Sequence, residues 1–276
     1  MNHPGYLAKF LVVFGTLLSV LSAEATDTYS FAVVPQFDQR KLFTIWKPII
    51  ENVSKRTGIQ LNLVATLTVP EFERELSKGS FDFVYANPYH VLREESRQGY
   101  IPLVRDKTPL RGILVVARDS SFKTPADLDG QQMAIPSFNA LGASLLLRAD
   151  LAQLFKVRVN PVNVKTHSSV YLYVANGLIP AGGGVEKTLQ EQEPAVRDLL
   201  RVLYATREMP SHPIAAHPRV PLKVQQAVRQ AIMALDGSEE GRKLLREVPI
   251  QAVVPASMKD YAPMRDWGLS NYWVEP

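Results

Sequence analysis

The sequence predicts an α/β protein of two lobes, each a mixed, mostly parallel sheet flanked by helices, with the chain crossing between them twice. Three observations carry this. Short β-preferring runs alternate with amphipathic segments through two successive stretches, the pattern of strands joined by helical crossovers. At 276 residues and 46% hydrophobic content, the chain is too long for one small module and has enough apolar side chains for a substantial core. Composition then shifts beyond Leu203, and four prolines fall between Met209 and Pro221, as suits a connector returning to the first lobe. The lobes expected are residues 26–110 with 211–276, and residues 111–210, with crossings near Arg111 and Pro210.

Residues 1–25 read as a secretory leader. Lys9 supplies the positive start, residues 10–21 an apolar run, and Ser22-Ala23-Glu24-Ala25 the small residues of a cleavage site, which places the mature N-terminus at Thr26. The run is shorter than the roughly 20 apolar residues a spanning helix needs. An exported, periplasmic protein is expected. The absence of cysteine excludes disulfides, thiolate metal sites, cysteine nucleophiles and a lipidated-cysteine anchor.

Along the mature chain, residues 29–34 form a β-preferring run stopped by Pro35. A helix follows over 39–56, where Leu42, Phe43, Ile45, Trp46, Ile49, Ile50 and Val53 recur at helical spacing and Thr57-Gly58 ends it. Residues 60–65 read as a strand, and Thr68-Val69-Pro70-Glu71 as a capping box opening a helix to Lys78. Strand 81–86, helix 88–98 and strand 101–105 complete the first stretch. The second repeats the alternation: strand 112–117, a capped turn at 124–128, strand 132–135, helix 141–154, strand 159–164 and helix 168–176 closed by Gly177. Gly182 to Gly184 read either as a flexible turn from strand to helix or as a place where backbone approaches a ligand. A helix over 185–200, breakable at Pro194, and helices over 222–235 and 239–248 finish the pattern.

Charge and motifs narrow the function. The 31 basic and 27 acidic residues leave a formal charge of +4, which gives nucleic-acid binding little support. No Gly-x-Ser-x-Gly, His-Glu-x-x-His or Gly-x-x-x-x-Gly-Lys signature occurs, so neither an enzyme nor a bound cofactor is expected. His90, His167, His212 and His217 make a poor metal set, because His212 and His217 stand five apart in a proline-rich stretch with no acidic cluster.

Four predicted strand-to-helix loops instead carry neutral donors without a run of carboxylates, at residues 35–38, 87–90, 136–139 and 166–169. Loops beyond the carboxyl ends of strands, where helix N-termini present amides, suit an anion. The candidate contacts are Asn87, Tyr89, Ser137, Asn139, His167 and Ser168, with Gln36 and Phe37 at the rim. Each has a plain alternative: Asn87, Ser137, Asn139 and Ser168 are ordinary cap residues, Tyr89 a packing residue and His167 a loop histidine.

Ser30-Phe31-Ala32-Val33-Val34-Pro35, leading into a helix that ends Arg56-Thr57-Gly58, opens a pattern that continues through Gly79-Ser80-Phe81-Asp82-Phe83-Val84-Tyr85-Ala86-Asn87-Pro88-Tyr89. Arg118-Asp119-Ser120, Ala126-Asp127-Leu128-Asp129-Gly130-Gln131 and the segment from His167 to Gly177 extend it over most of the mature chain. The order and spacing resemble the phosphate, phosphite and phosphonate substrate-binding family of ABC transporters. That resemblance implies a type II periplasmic-binding-protein fold whose lobes close over a small phosphate-like or phosphonate-like oxyanion, a monomer, and a membrane permease as partner. The alternative is a sensory subunit of the same fold docking on a histidine kinase or cyclase ectodomain. Two departures bear on specificity. Ser137-Phe138-Asn139-Ala140-Leu141-Gly142 stands where the family commonly has a hydroxyl-rich turn, and Leu178-Ile179-Pro180-Ala181 stands where many relatives carry an acidic segment. The second removes an expected carboxylate partner for the amine of an aminophosphonate.

Overall fold

The computed structural model describes Met1 and residues 27–248 and 250–276. The leader and the mature start at Thr26 lie outside the described residues. In the first lobe, β1 (Thr28–Val33) leads to α1 (Gln39–Thr57), whose start is capped by the Asp38 carboxylate accepting from the Lys41 amide at 3.0 Å. This helix buries Leu42, Ile45, Trp46, Ile49, Ile50 and Val53 and ends at Gly58, whose φ of 72° favours glycine. β2 (Gln60–Ala65) precedes α2 (Val69–Ser77), where Thr68 Oγ1 accepts from the Glu71 amide at 3.2 Å and Glu71 in turn accepts from the Leu67 amide at 2.9 Å. β3 (Phe83–Tyr85), α3 (Pro88–Glu94) and β4 (Ile101–Asp106) complete this part.

The second lobe begins with β5 (Leu110–Ala117) and β6 (Gln132–Ile135). A wide π-type turn over Leu141–Leu145 opens α4 (Leu146–Leu154), followed by β7 (Asn160–Asn163), α5 (His167–Ala175) and β8 (Ala181–Val185). Short helices α6 (Glu186–Gln190) and α7 (Pro194–Arg197) lead to β9 (Leu200–Met209). The chain then adds β10 (Pro213–Ala216), α8 (Leu222–Leu235), α9 (Glu239–Glu247), β11 (Val253–Pro255) and α10 (Met258–Tyr261) to the first lobe. Two 3₁₀ turns, Ala262–Trp267 and Leu269–Tyr272, follow.

The first sheet has the order β11-β4-β10-β3-β1-β2, the second β7-β6-β8-β5-β9. β1 pairs in parallel with β2 and β3, and β6 with β7 and β8, whereas β10 and β5 run against their neighbours. Both sheets are therefore mixed, with most strands sharing one direction. Separate apolar cores lie in each lobe, and a further cluster joins Tyr89 and Leu92 of α3 to Leu145 and Leu146 of the α4 segment and Tyr261 and Leu269 of the C-terminal turns.

Three expectations are corrected. Residues 185–200 are not one helix: α6 and α7 are separate turns, Pro194 starts the second, and Leu200 already begins β9. β9 escaped notice because only Leu200, Thr206 and Met209 of its ten residues are buried, so it lacks regular alternation. The proline-rich connector conceals β10, a fully buried strand between β3 and β4, because Pro213 occupies only its first position.

Gly182 to Gly184 form the middle of β8 rather than a flexible turn, and they are small because other atoms lie directly on them. A Cβ at Gly183 would fall 1.9 Å from the Ala143 carbonyl oxygen, and one at Gly184 would fall 2.2 Å from the Tyr171 hydroxyl. Across the sheet, a Cβ at Gly112 of β5 would fall 2.3 Å from the Gly142 carbonyl oxygen. The start of the 141–154 helical segment thus rests on bare strand backbone. Gly183→Ala should lower unfolding free energy by about 1–3 kcal/mol through overpacking in denaturant titration. Gly237→Ala, whose nearest neighbour would stand at 3.4 Å, should change it by less than about 0.5 kcal/mol.

Candidate functional site

The chain leaves the first sheet after Asp106 and enters the second at Leu110, then leaves at Met209 and returns at Pro213. Between the lobes lies a cavity of about 590 Å³, its mouth included. The first lobe lines it with Val34, Pro35, Gln36, Val69, Asn87, His90 and His212. The second lobe contributes Pro136, Ser137, Asn139, the turn from Ala140 to Ala143, Lys165, His167 and Val185. Among the described residues, no carboxylate lines it. A second cavity of about 540 Å³ adjoins it, shares Gln36, Leu110, His167, Val185 and His212, and adds Phe37, Tyr85, Asp106, Lys187 and Ser211 among its walls.

The wide turn supplies backbone donors. The amides of Ser144 and Leu145 both return to the Ala140 carbonyl, at 2.9 and 3.0 Å. The amides of Leu141, Gly142 and Ala143 precede these bonds, have no acceptor within the helix, and belong to residues on the cavity wall. The partial positive charge of a helix start favours an anion here. Glycine at 112 and 183 allows this turn to sit so low over the sheet.

Side-chain donors come from both lobes. Asn87 caps α3, its Oδ1 accepting from the Tyr89 amide at 2.7 Å, and its Nδ2 donates to the Asn139 carbonyl at 3.0 Å across the cleft. Asn139 is committed to protein partners: Nδ2 donates to Glu73 Oε2 at 2.9 Å and to the Val274 carbonyl at 2.7 Å, while Oδ1 accepts from the Val274 amide at 2.9 Å. It joins the first lobe, the second lobe and the C-terminal turns at one point. Ser137 Oγ accepts from the Asn139 amide at 3.4 Å.

Three imidazoles face this space. His90 Nε2 lies 2.8 Å from Glu73 Oε1, both groups being buried, and its Nδ1 has no protein partner. His167 opens α5, and its solvent-shielded Nδ1 likewise has none. Desolvation lowers the pKa of His167 to about 4. His212 stacks on Tyr85 with centroids 5.4 Å apart and meets Gln36 Nε2 at 3.2 Å. Its pKa falls to about 3, first through desolvation and then through the charges of His90, His167 and Lys187. His167 and His212 are therefore neutral hydrogen-bonding groups at pH 7.

The structure thus gathers Gln36, Asn87, Ser137, Asn139 and His167 around one cavity and sets Phe37 on the wall of the second, with the Lys41 ammonium 3.9 Å above its ring. Tyr89 and Ser168 line neither. Tyr89 is buried against Trp273 at 5.8 Å, and Ser168 is exposed in the first turn of α5, which Thr166 caps by accepting from the Ser169 amide. Sequence reasoning placed His90 within the 87–90 loop but not among the contacts, and did not place His212, Lys165, Lys187 or Asp106 here. His90 stands three residues after Asn87 on α3, a helical spacing that could have marked it. The others have no local signal.

A family model described as "ABC transporter, phosphonate, periplasmic substrate-binding protein" matches residues 31–261. The chain belongs to this family. This phosphonate-family binding protein has the type II periplasmic-binding-protein fold that the resemblance implied. It is similar to PhnD1 from Prochlorococcus marinus, solved in complex with methylphosphonate, with a TM-score of 0.74 or above shared by all three relatives described here and 0.78 in this case. The identity is 12%, and the match covers 88% of this chain and 98% of that one. A binding-protein component of an ABC phosphonate transporter from Pseudomonas aeruginosa is 14% identical, with a TM-score of 0.74 over 88% of this chain and 85% of that one. A Xanthomonas citri protein bound to chloride is 15% identical, with a TM-score of 0.76 over 89% and 98%. A search of curated proteins finds no match.

The family is one of substrate-binding transport proteins. Among the described residues of this binding protein, no helix is long and apolar enough to cross a membrane. The half-buried imidazoles of His167 and His212 set a pH dependence of stability. In the unfolded chain both return to about 6.5, so between about 4 and 6.5 the unfolded state binds more protons than the folded one. Folding stability should therefore fall as pH is lowered through that window. Urea titrations between pH 7 and pH 4 should show the fall, and His212→Gln should flatten it.

Proposed function

We propose that the inter-lobe cavity of this binding protein captures a small phosphonate-like or phosphate-like oxyanion. The amides of residues 141–143 accept the negative charge, with Ser137, His167, Asn87 and Gln36 as side-chain donors. Asn139 acts by holding the lobes in register. Phe37 belongs to the wall beyond, and Tyr89 and Ser168 take no part. The observation that carries this reading is the meeting of a wide helix start with neutral amide, hydroxyl and imidazole groups from both lobes in a cavity that no carboxylate of the described residues lines. Bridging by the ligand favours the closed arrangement through its greater affinity for that state. We further propose that the mature protein works as a periplasmic monomer and delivers its ligand to an ABC permease.

Calorimetry with methylphosphonate, phosphite, phosphate and methanesulfonate tests the cleft. At least one phosphorus oxyanion should bind. Ser137→Ala and His167→Ala should each weaken binding about tenfold or more, since a hydrogen bond to a charged group contributes about 1.5–3 kcal/mol. Binding of none of the three phosphorus oxyanions, or unchanged affinity in both variants, would refute the assignment.

A further inference from the structure

The second cavity continues the first toward the chain crossings, so an oxyanion seated on the 141–143 amides would turn its remaining substituent toward Leu110, Val185 and Tyr85. At that end Lys187, in the first turn of α6, reaches across the lobes to Asp106 at the end of β4, with Nζ 2.5 Å from Oδ2. Resting on the cleft reading above, we propose that this pair is a specificity filter: the protein's own ammonium occupies the carboxylate that a ligand's amine would need. The cleft therefore takes phosphonates with a small uncharged substituent and rejects aminoalkyl phosphonates.

Asp106 is the one carboxylate on the walls of either cavity among the described residues. It is 3% exposed, and both oxygens are engaged. Oδ1 accepts from the amides of Thr108, Gln251 and Ala252, each at 3.2 Å, while Oδ2 faces Lys187. Two other carboxylates lie nearby but line neither cavity. Glu73 stands behind the wall, bonded to His90 and Asn139, and Glu191 lines a different cavity together with Lys187 and Arg246. The imidazoles of His167 and His212 are neutral and offer no negative charge. An incoming ammonium must either displace Lys187 or lie unpaired beside it, losing hydration and meeting a like charge. A methyl or ethyl group needs no ionic partner and can rest against Leu110, Val185 and Tyr85.

Calorimetry with ethylphosphonate and 2-aminoethylphosphonate tests this on the mature protein. The wild type should prefer the ethyl compound by about tenfold or more. Lys187→Met, which leaves Asp106 to receive the amine, should narrow or reverse that preference by about tenfold. Asp106→Asn removes the negative charge from this wall, and should tighten binding of phosphonoacetate, whose carboxylate that charge repels, about tenfold. Equal affinity of the wild type for the ethyl and aminoethyl compounds overturns the filter and leaves the cleft reading standing, as does an unchanged ratio in Lys187→Met together with unchanged phosphonoacetate binding in Asp106→Asn. A wild type that binds no phosphorus oxyanion overturns the cleft reading and the filter with it.

Discussion

The geometry of the cleft depends on backbone lying against backbone. The carbonyls of Gly142 and Ala143 occupy the space where side chains of Gly112 and Gly183 would stand. Interiors are packed too closely to accommodate a methyl group there without displacing one of the partners. That contact fixes the height of the 141–145 turn above the second sheet, and with it the direction of its first amides. Loss of conformational entropy makes glycine in a strand unfavourable in isolation, so three in succession mark a place where packing outweighs propensity.

A second constraint is the joint at Asn139. One amide side chain satisfies Glu73 from α2 and both backbone groups of Val274, while the same residue's carbonyl receives Asn87 from α3. Burying so many polar groups is tolerable because each finds a partner. Nearby, Arg148 donates to the carbonyls of Phe138 and Tyr272, at 2.7 and 2.8 Å, and Arg93 lies 4.3 Å from the Trp273 ring. The C-terminal turns are thereby part of the frame that sets the two lobes around the cavity.

Local chemistry made much of the fold legible. The apolar spacing from Leu42 to Val53 and the stop at Gly58 define α1, and Thr68 with Glu71 marks the start of α2, because caps and amphipathic faces are written within a few residues. β9 and β10 were not legible: one is an edge strand with few buried positions, the other sits in the middle of a sheet behind a proline. The same division holds at the site. Strand-to-helix loops could be found from punctuation, which brought Gln36, Ser137 and His167 to notice. The partners of Asn139, 66 and 135 residues away, could not, nor could the meeting of Asp106 with Lys187, which exists only because the chain crosses between the sheets.

Partial desolvation between the lobes keeps His167 and His212 uncharged. A guest held by such oriented dipoles in a shielded recess owes little to freely solvated cations, whose pull fades over about 8 Å at physiological ionic strength. Ionic strength would then act on retention chiefly through Lys165, whose exposed side chain also lines the cavity.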